Sequence, residues 1–237
     1  MKLLSLQSSE DPKRPYRMDI KELYTRLLRR KQASSVDHTA YWQERVRQHG
    51  RRAVLNLAHD DSEYDKVTER QRRILLPLFT SMLIGTERTL LDFGCGPGRF
   101  TAALARAIGG VAVGVDISPE LLAMTPASEN VSYRLITEGS LPKDHFRFDA
   151  IWVCLVLGGI PDAKIESAAA DINDALNPGG LLFLVENTSS KPDGTYWFFR
   201  SQDRYRALFP TVYLQPLTSY WDAGEEISVL AGRKLAC

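Results

Sequence analysis

The sequence predicts an α/β fold: a doubly wound, mostly parallel seven-stranded sheet with an antiparallel C-terminal edge pair, preceded by an N-terminal helical cap. Three observations predict it. From Thr86 onward, short apolar runs alternate with stretches of helical period, the rhythm of a parallel sheet whose crossovers are helices. A glycine-rich turn, Gly94-Cys95-Gly96-Pro97-Gly98, stands between the first such run and the helix after it. The last part of the chain carries two strand-like runs joined around Asp222-Ala223-Gly224, the pattern of a hairpin.

Residues 1–17 mix Ser, Asp, Pro, Lys and Arg with little periodicity and read as a flexible lead-in. Residues 18–85 read as the helical cap. Leu23, Leu27 and Leu28 recur at helical spacing, a second helix is expected around Tyr41, Trp42 and Val46, and a third runs from Val67 through Ile74, Leu75, Leu78 and Phe79. The core then occupies 86–237. Its first strand is Thr89–Phe93, followed by a helix whose buried stripe is Phe100, Leu104 and Ile108. The second, Val111–Val115, is apolar without alternation because both faces of a central parallel strand are covered. Ser118 and Pro119 supply an N-cap and a first-turn residue for the next helix. Further strands are expected at Val131–Ile136, Asp149–Cys154 and Leu181–Val185. Between the last two a helix from about Ala163 to Leu176 is closed by Asn177-Pro178-Gly179-Gly180 as a stop signal. Val212–Tyr220 and Ile227–Ala231 form the antiparallel pair at the sheet edge.

With 237 residues and 44% hydrophobic composition, the chain can bury one substantial core. Its formal net charge of +1 provides no global field for nucleic acid or an anionic membrane. Cys95, Cys154 and Cys237 are far apart and in no metal-ligand spacing, so neither zinc nor a disulfide framework is expected. The apolar start Met1–Leu6 gives way at once to Gln7, Ser8 and Ser9, too short for a signal peptide, and no run approaches membrane-span length. The expectation is a soluble cytoplasmic protein.

Glycines at 94, 96 and 98 allow a tight turn and let a ligand lie against the backbone, and exposed amides at the helix start would favour a negatively charged or polar group. The nicotinamide fingerprint G-x-G-x-x-G would need glycine where Arg99 stands, and the phosphate loop would need Gly-Lys-Ser/Thr where Gly98-Arg99-Phe100 stands. Roughly 20 residues on, the second strand ends in Asp116, an acid placed to accept both hydroxyls of a ribose and to exclude a 2′-phosphate. The competing reading is that Asp116 caps the helix beginning near Ser118.

At this point the chain resembles the class I S-adenosylmethionine-dependent methyltransferases, in particular the group with the generic small-molecule methyltransferase domain. The resemblance rests on Leu90-Leu91-Asp92-Phe93-Gly94-Cys95-Gly96-Pro97-Gly98, Val113-Gly114-Val115-Asp116-Ile117-Ser118, Phe148-Asp149-Ala150-Ile151 and Asn177-Pro178-Gly179-Gly180, in the family's order. It implies S-adenosyl-L-methionine as cofactor. Gly94 and Gly96, with Cys95 between them, would border its methionine part, and Asp92 would help hold the amino group. Asp116 would bind the ribose and Ile117 lie against the adenine. Ser140 or Leu141, after the third strand, would reach the adenine edge, and Cys154 and Leu155 would face the sulfonium.

A sulfonium methyl is already electrophilic, so the protein need only align donor and nucleophile, exclude water and, where required, remove a proton. By the resemblance, the cover over the methyl comes from the cap and from the segment after the fifth strand. That makes Tyr41, Trp42, Arg45 and Tyr64 on one side, and Asn187, Tyr196, Trp197 and Arg200 on the other, candidate substrate contacts. His59 is the first candidate general base, because an imidazole titrates near neutrality, and Glu186 at the end of the fifth strand is the second. Metal-dependent catechol-type chemistry is set aside because Val153-Cys154-Leu155 offers no acid. The base-methylating Asn/Asp-Pro-Pro-aromatic motif is missing there, and Cys154 reads as a buried apolar thiol. The leading reading is methyl transfer to an oxygen or nitrogen of a small metabolite. Arg26, Arg29, Arg30 and Lys31, with Arg45, Arg47, Arg51 and Arg52, suggest RNA or protein as an alternative acceptor, and a non-catalytic cofactor-binding module is the third.

Overall fold

The structure, a computed structural model, describes residues 37–137, 141 and 147–236, and residues 37–237 form one compact unit. The lead-in, the first predicted cap helix with Leu23, Leu27 and Leu28, the basic run Arg26–Lys31, and Ser140 lie outside the described residues.

Among the described residues two helices precede the sheet. Helix α1 (His38–His49) is capped by Asp37, whose side chain accepts from the Ala40 amide. A 3-10 turn at Gly50–Val54 leads to a capping box, Asp60 with Glu63, that starts a second 3-10 turn (Asp61–Glu63) running straight into α2 (Tyr64–Met82). The core follows as β1 (Thr89–Phe93), α3 (Thr101–Ile108), β2 (Val111–Asp116), α4 (Pro119–Leu122), β3 (Val131–Leu135), β4 (Phe148–Cys154), α5 (Asp162–Ala175), β5 (Leu176–Asn187), α6 (Gln202–Leu208), β6 (Gln215–Asp222) and β7 (Glu225–Arg233).

These strands make a seven-stranded sheet in the order β3-β2-β1-β4-β5-β7-β6, parallel up to β5 and antiparallel for β7 and β6. The chain order reverses at β1, whose two neighbours are β2 and β4. This is the topological switch point at which open α/β sheets leave a crevice beyond the strand carboxyl ends.

Both faces of the sheet are covered, as the unbroken apolar strands require. Leu91, Phe93, Ile151, Val153, Leu182 and Leu184 pack with Ile165 and Ile172 of α5 and with Tyr205 and Leu208 of α6. The alternate residues Leu90, Ala150, Trp152, Leu181, Phe183 and Val185 pack with Leu75 and Phe79 of α2 and Leu104 and Ile108 of α3. The Trp152 ring stacks on Phe183 at 4.8 Å, and Phe79 meets both edge-on at 5.6 Å, which fixes α2 against the centre of the sheet.

One expectation needs correction. The helix does stop at Ala175, directly ahead of Asn177-Pro178-Gly179-Gly180, but the motif does not precede the strand: β5 already begins at Leu176 and runs through it. Leu176 pairs with Phe148, and the register to β4 shifts before Leu181 pairs with Ala150. The bulge is tied from the far end of β7: the Gly179 amide donates to the Lys234 carbonyl, and the Lys234 amide donates to the Gly180 carbonyl, each at 2.9 Å. Pairing partners supplied by the tertiary fold thus turn a helix-stop motif into irregular strand.

Candidate active site

The glycine turn directs its amides inward. Gly94 and Cys95 both donate to the Val115 carbonyl at 2.9 Å, Gly96 donates to Asp116 Oδ2 at 2.8 Å, and Gly98 donates to the Cys95 carbonyl at 3.0 Å. Pro97 has no amide hydrogen. Residues 94–98 therefore spend their donors on the end of β2 and on the turn itself. This corrects the expectation that exposed amides here favour a negative group: the residue types suit a phosphate nest, but the orientation does not. The turn is also clasped from two sides. Gly94 and Gly96 have φ of 72° and 53°, and a Cβ on them would lie 2.4 Å from Val156 Cγ2 and 2.9 Å from Val54 Cγ1 respectively.

Two buried carboxylates flank the turn. Asp116 accepts from Gly96 through Oδ2 and from the Ser118 amide through Oδ1 at 2.9 Å, and burial raises its pKa. Ser118, not Asp116, caps α4, its Oγ accepting from the Leu121 amide at 3.2 Å. Asp92 accepts from Thr101 Oγ1 at 2.6 Å; burial, assisted by the nearby Asp116 charge, pushes its pKa up to about 7.

Both acids line a cavity of about 600 Å³ that follows the carboxyl edge of the sheet. From the predicted cofactor set, Asp92, Gly94, Cys95, Gly96, Asp116, Ile117, Cys154 and Leu155 all line it. Leu155 is held at φ 58°, a strained conformation for a branched side chain, with its amide donating to the Val185 carbonyl at 2.8 Å. Burial raises the Cys95 thiol and lifts Cys154 to about 12, so neither is a thiolate near neutrality. Leu141 packs on the core beside the cavity and does not line it.

Among the predicted substrate contacts, Trp42, Arg45, Asn187 and Trp197 line the cavity, whereas Tyr41, Tyr64, Tyr196 and Arg200 do not. Tyr41 stacks on Tyr196 at 3.6 Å, nearly coplanar, and so joins α1 to the segment after β5. Tyr64 lies under the Arg51 guanidinium at 4.3 Å. Buried Arg200 donates to the Leu157 carbonyl at 2.8 Å, the Ile160 carbonyl at 2.7 Å and Asp162 Oδ1 at 2.8 Å, fastening the loop after β4.

Neither candidate base lines the cavity. Glu186 is fully buried and accepts from the amides of Val156 at 2.8 Å, Leu157 at 2.7 Å and Gly158 at 3.2 Å, while burial raises its pKa to about 7. Its geometry is that of a staple for the β4 loop. His59 sits behind Asp222, with Nε2 3.0 Å from Asp222 Oδ1 and Nδ1 3.6 Å from Glu63 Oε2.

Sequence reasoning missed Asp222 and Glu225, which line the cavity from the β6–β7 turn, and Gly158 and Gly159, which line or border it after β4. The paired glycines in the loop after β4 were a usable signal of close packing. The acids carried none, because Asp222-Ala223-Gly224 reads simply as a turn.

Residues 90–180 match a family model described as a methyltransferase domain. The chain is 32% identical over 114 residues to the demethylmenaquinone methyltransferase of Staphylococcus carnosus (strain TM300), covering 46% of each chain. It is 27% identical over 134 residues to methyltransferase GfsG of Streptomyces halstedii, covering 54% of this chain and 48% of that protein. The match thus spans about half the length of these relatives. Among solved structures, magnesium protoporphyrin IX methyltransferase from Synechocystis PCC 6803 superposes with a TM-score of 0.66 at 13% identity, over 84% of this chain and 98% of that one. The seven-stranded core is the fold of these methyltransferase structures, and the segment that matches the methyltransferase domain model holds the glycine turn and Asp116.

Proposed function

We propose that the chain is an enzyme that transfers a methyl group from S-adenosyl-L-methionine to an oxygen or nitrogen nucleophile of a small-molecule metabolite. The observation that carries this reading is the pairing of an inward-turned glycine loop with two buried carboxylates on one cavity wall. A pyrophosphate needs free amides and would face the Asp92 carboxylate, whereas an adenosyl sulfonium brings an ammonium, two ribose hydroxyls and a positive sulfur. The residues therefore fit this cofactor.

In this reading Asp92 holds the amino group, Asp116 the ribose hydroxyls, Ile117 the adenine face, and Gly94 and Gly96 the methionine part. When bound, the cofactor supplies an electrophilic methyl. The chain's own residues then contribute alignment and dryness: Val54, Leu55 and Trp42 from the cap, and Trp197 and Phe199 from the segment after β5, close the cavity against water.

Within the described residues, Arg45, Arg47, Arg51 and Arg52 do not favour a nucleic-acid acceptor. Arg45 is committed to the Ala53 and Leu55 carbonyls, Arg47 to Glu44, Arg51 to Asp65, and Arg52 to Asp61 and the His59 carbonyl. Among the described residues no helix is long and apolar enough to cross a membrane. The test is to incubate the chain with methyl-labelled cofactor and size-fractionated cell extract. Label in the low-mass fraction is expected; label confined to RNA or protein contradicts the small-molecule assignment.

A further inference from the structure

The cavity has two ends. One lies at Asp116, at the end of β2, where the proposed cofactor's ribose is held. The lining then passes over Asp92 on β1 and Cys154 on β4 to Asn187 on β5, Ile227 on β7 and the hairpin turn that carries Asp222 and Glu225. Strand register makes this order physical: Cys154 pairs with Val185, Asn187 with Ile227, and Asp222 with Glu225 at the mouth of the hairpin. With the adenosyl portion at the β2 end and the sulfur over β1 and β4, the space left for the acceptor is the hairpin end.

That end is built. Asp222 is 4% exposed, and Oδ1 takes both the His59 Nε2 contact at 3.0 Å and a short contact from Arg70 Nη2. Neither His59 nor Arg70 lines the cavity, so they stand behind the carboxylate and fix it. Glu225 is held in the same manner: Oε2 accepts from Asn187 Nδ2 at 2.6 Å and Asn56 Nδ2 at 3.2 Å, and Oε1 from Lys191 Nζ at 2.8 Å. Two anchored acceptors thus converge on one end of the cavity.

The walls are aromatic. A Cβ on Gly158 would lie 2.5 Å from the Trp197 ring, and one on Gly159 would lie 2.8 Å from the Trp42 ring. Each indole therefore packs directly on a bare stretch of backbone, an approach that a Cβ would block. The guanidiniums on the lining are already committed, Arg45 to the Ala53 and Leu55 carbonyls and Arg99 to Thr68 and Gln71, and the remaining lining lysine, Lys164, stands on α5 and not on the hairpin.

Resting on the methyltransferase reading, we propose that the β6–β7 turn is the acceptor subsite. Asp222, seconded by Glu225, accepts a hydrogen bond from the hydroxyl or amine of a planar apolar acceptor, and the subsite rejects carboxylates. A buried, pre-fixed acceptor discriminates strongly for a donor and against a group that would leave it unpaired or facing a like charge. His59 is a positioning residue here, holding Asp222 and not meeting the acceptor.

The test uses the full chain saturated with S-adenosylhomocysteine and titrated calorimetrically with 2-naphthol and with naphthalene-2-carboxylate. Naphthol is expected to bind at least tenfold more tightly than the carboxylate. Asp222→Asn is expected to weaken naphthol at least tenfold while leaving S-adenosylhomocysteine affinity within twofold. Because Asp222→Asn disturbs Arg70 and His59, Glu225→Gln provides a second reading, with an expected loss of at least threefold. Equal binding of both probes, no naphthol binding at all, or wild-type naphthol affinity in both variants overturns the subsite. Failure of S-adenosylhomocysteine itself to bind overturns the methyltransferase reading, and the subsite with it.

Discussion

The Gly96 amide donates to Asp116 Oδ2 at 2.8 Å across twenty positions of sequence, so the turn after β1 and the acid ending β2 are one hydrogen-bonded unit. The same carboxylate holds the Ser118 amide. Asp116→Asn leaves one of these buried amides without its acceptor, at a cost of about 1–3 kcal/mol, and removes the charge offered to the ribose. The expected outcome is a lower melting temperature together with S-adenosylhomocysteine affinity reduced by about tenfold or more. Unchanged affinity, read by calorimetry, contradicts the assigned role.

Asp92 provides a proton-linked signature. Its apo pKa is up to about 7 because it is buried, and binding an ammonium requires the ionised form. Below pH 7 a proton must leave on binding. Affinity is therefore expected to fall about tenfold per pH unit below 7 and to be flat above it. Calorimetry at pH 6 in buffers of different ionisation enthalpy should detect that proton, and Asp92→Asn should abolish both the slope and the release.

Glu186 predicts the direction of stability with pH. A carboxyl whose folded pKa is raised, here to about 7 by burial, stabilises the fold fully below its unfolded pKa near 4.5, and this contribution is lost as pH rises through 7. Asp92 acts in the same sense. The urea midpoint should thus decline between pH 5 and pH 8. Glu186→Gln should flatten that decline while lowering the midpoint overall, since its amide nitrogen opposes one of the backbone donors it replaces an acceptor for.

Gly158 tests the aromatic wall. An added Cβ 2.5 Å from Trp197 forces the indole or the β4 loop to move, with an expected cost of about 1–3 kcal/mol for Gly158→Ala. Methyl transfer should fall more than S-adenosylhomocysteine affinity, because the displaced ring covers the acceptor end. An equal fall in both, compared by labelled-methyl assay and calorimetry, argues against that placement.

The sheet was legible because parallel strands such as β2 are apolar without interruption over Val111–Val115, and the glycine turn was legible from its spacing. What sequence did not reveal was the direction of polar groups. Nothing in Gly94–Gly98 says that its amides point inward, and nothing in Glu186 says that three amides of the following loop consume it. His59 and Asp222 are 163 positions apart, and their contact is set by how the cap meets the last hairpin. The Asn177–Gly180 motif marked the helix end correctly but hid its own place in the strand for the same reason: its backbone partners come from Lys234, a residue no local window includes.

The most direct test of the account titrates the full chain with S-adenosylhomocysteine and, in parallel, with NAD. It predicts one saturable site for the thioether, sharply weakened by Asp116→Asn, and no heat with NAD. Saturable NAD binding, or a flat thioether titration, contradicts it.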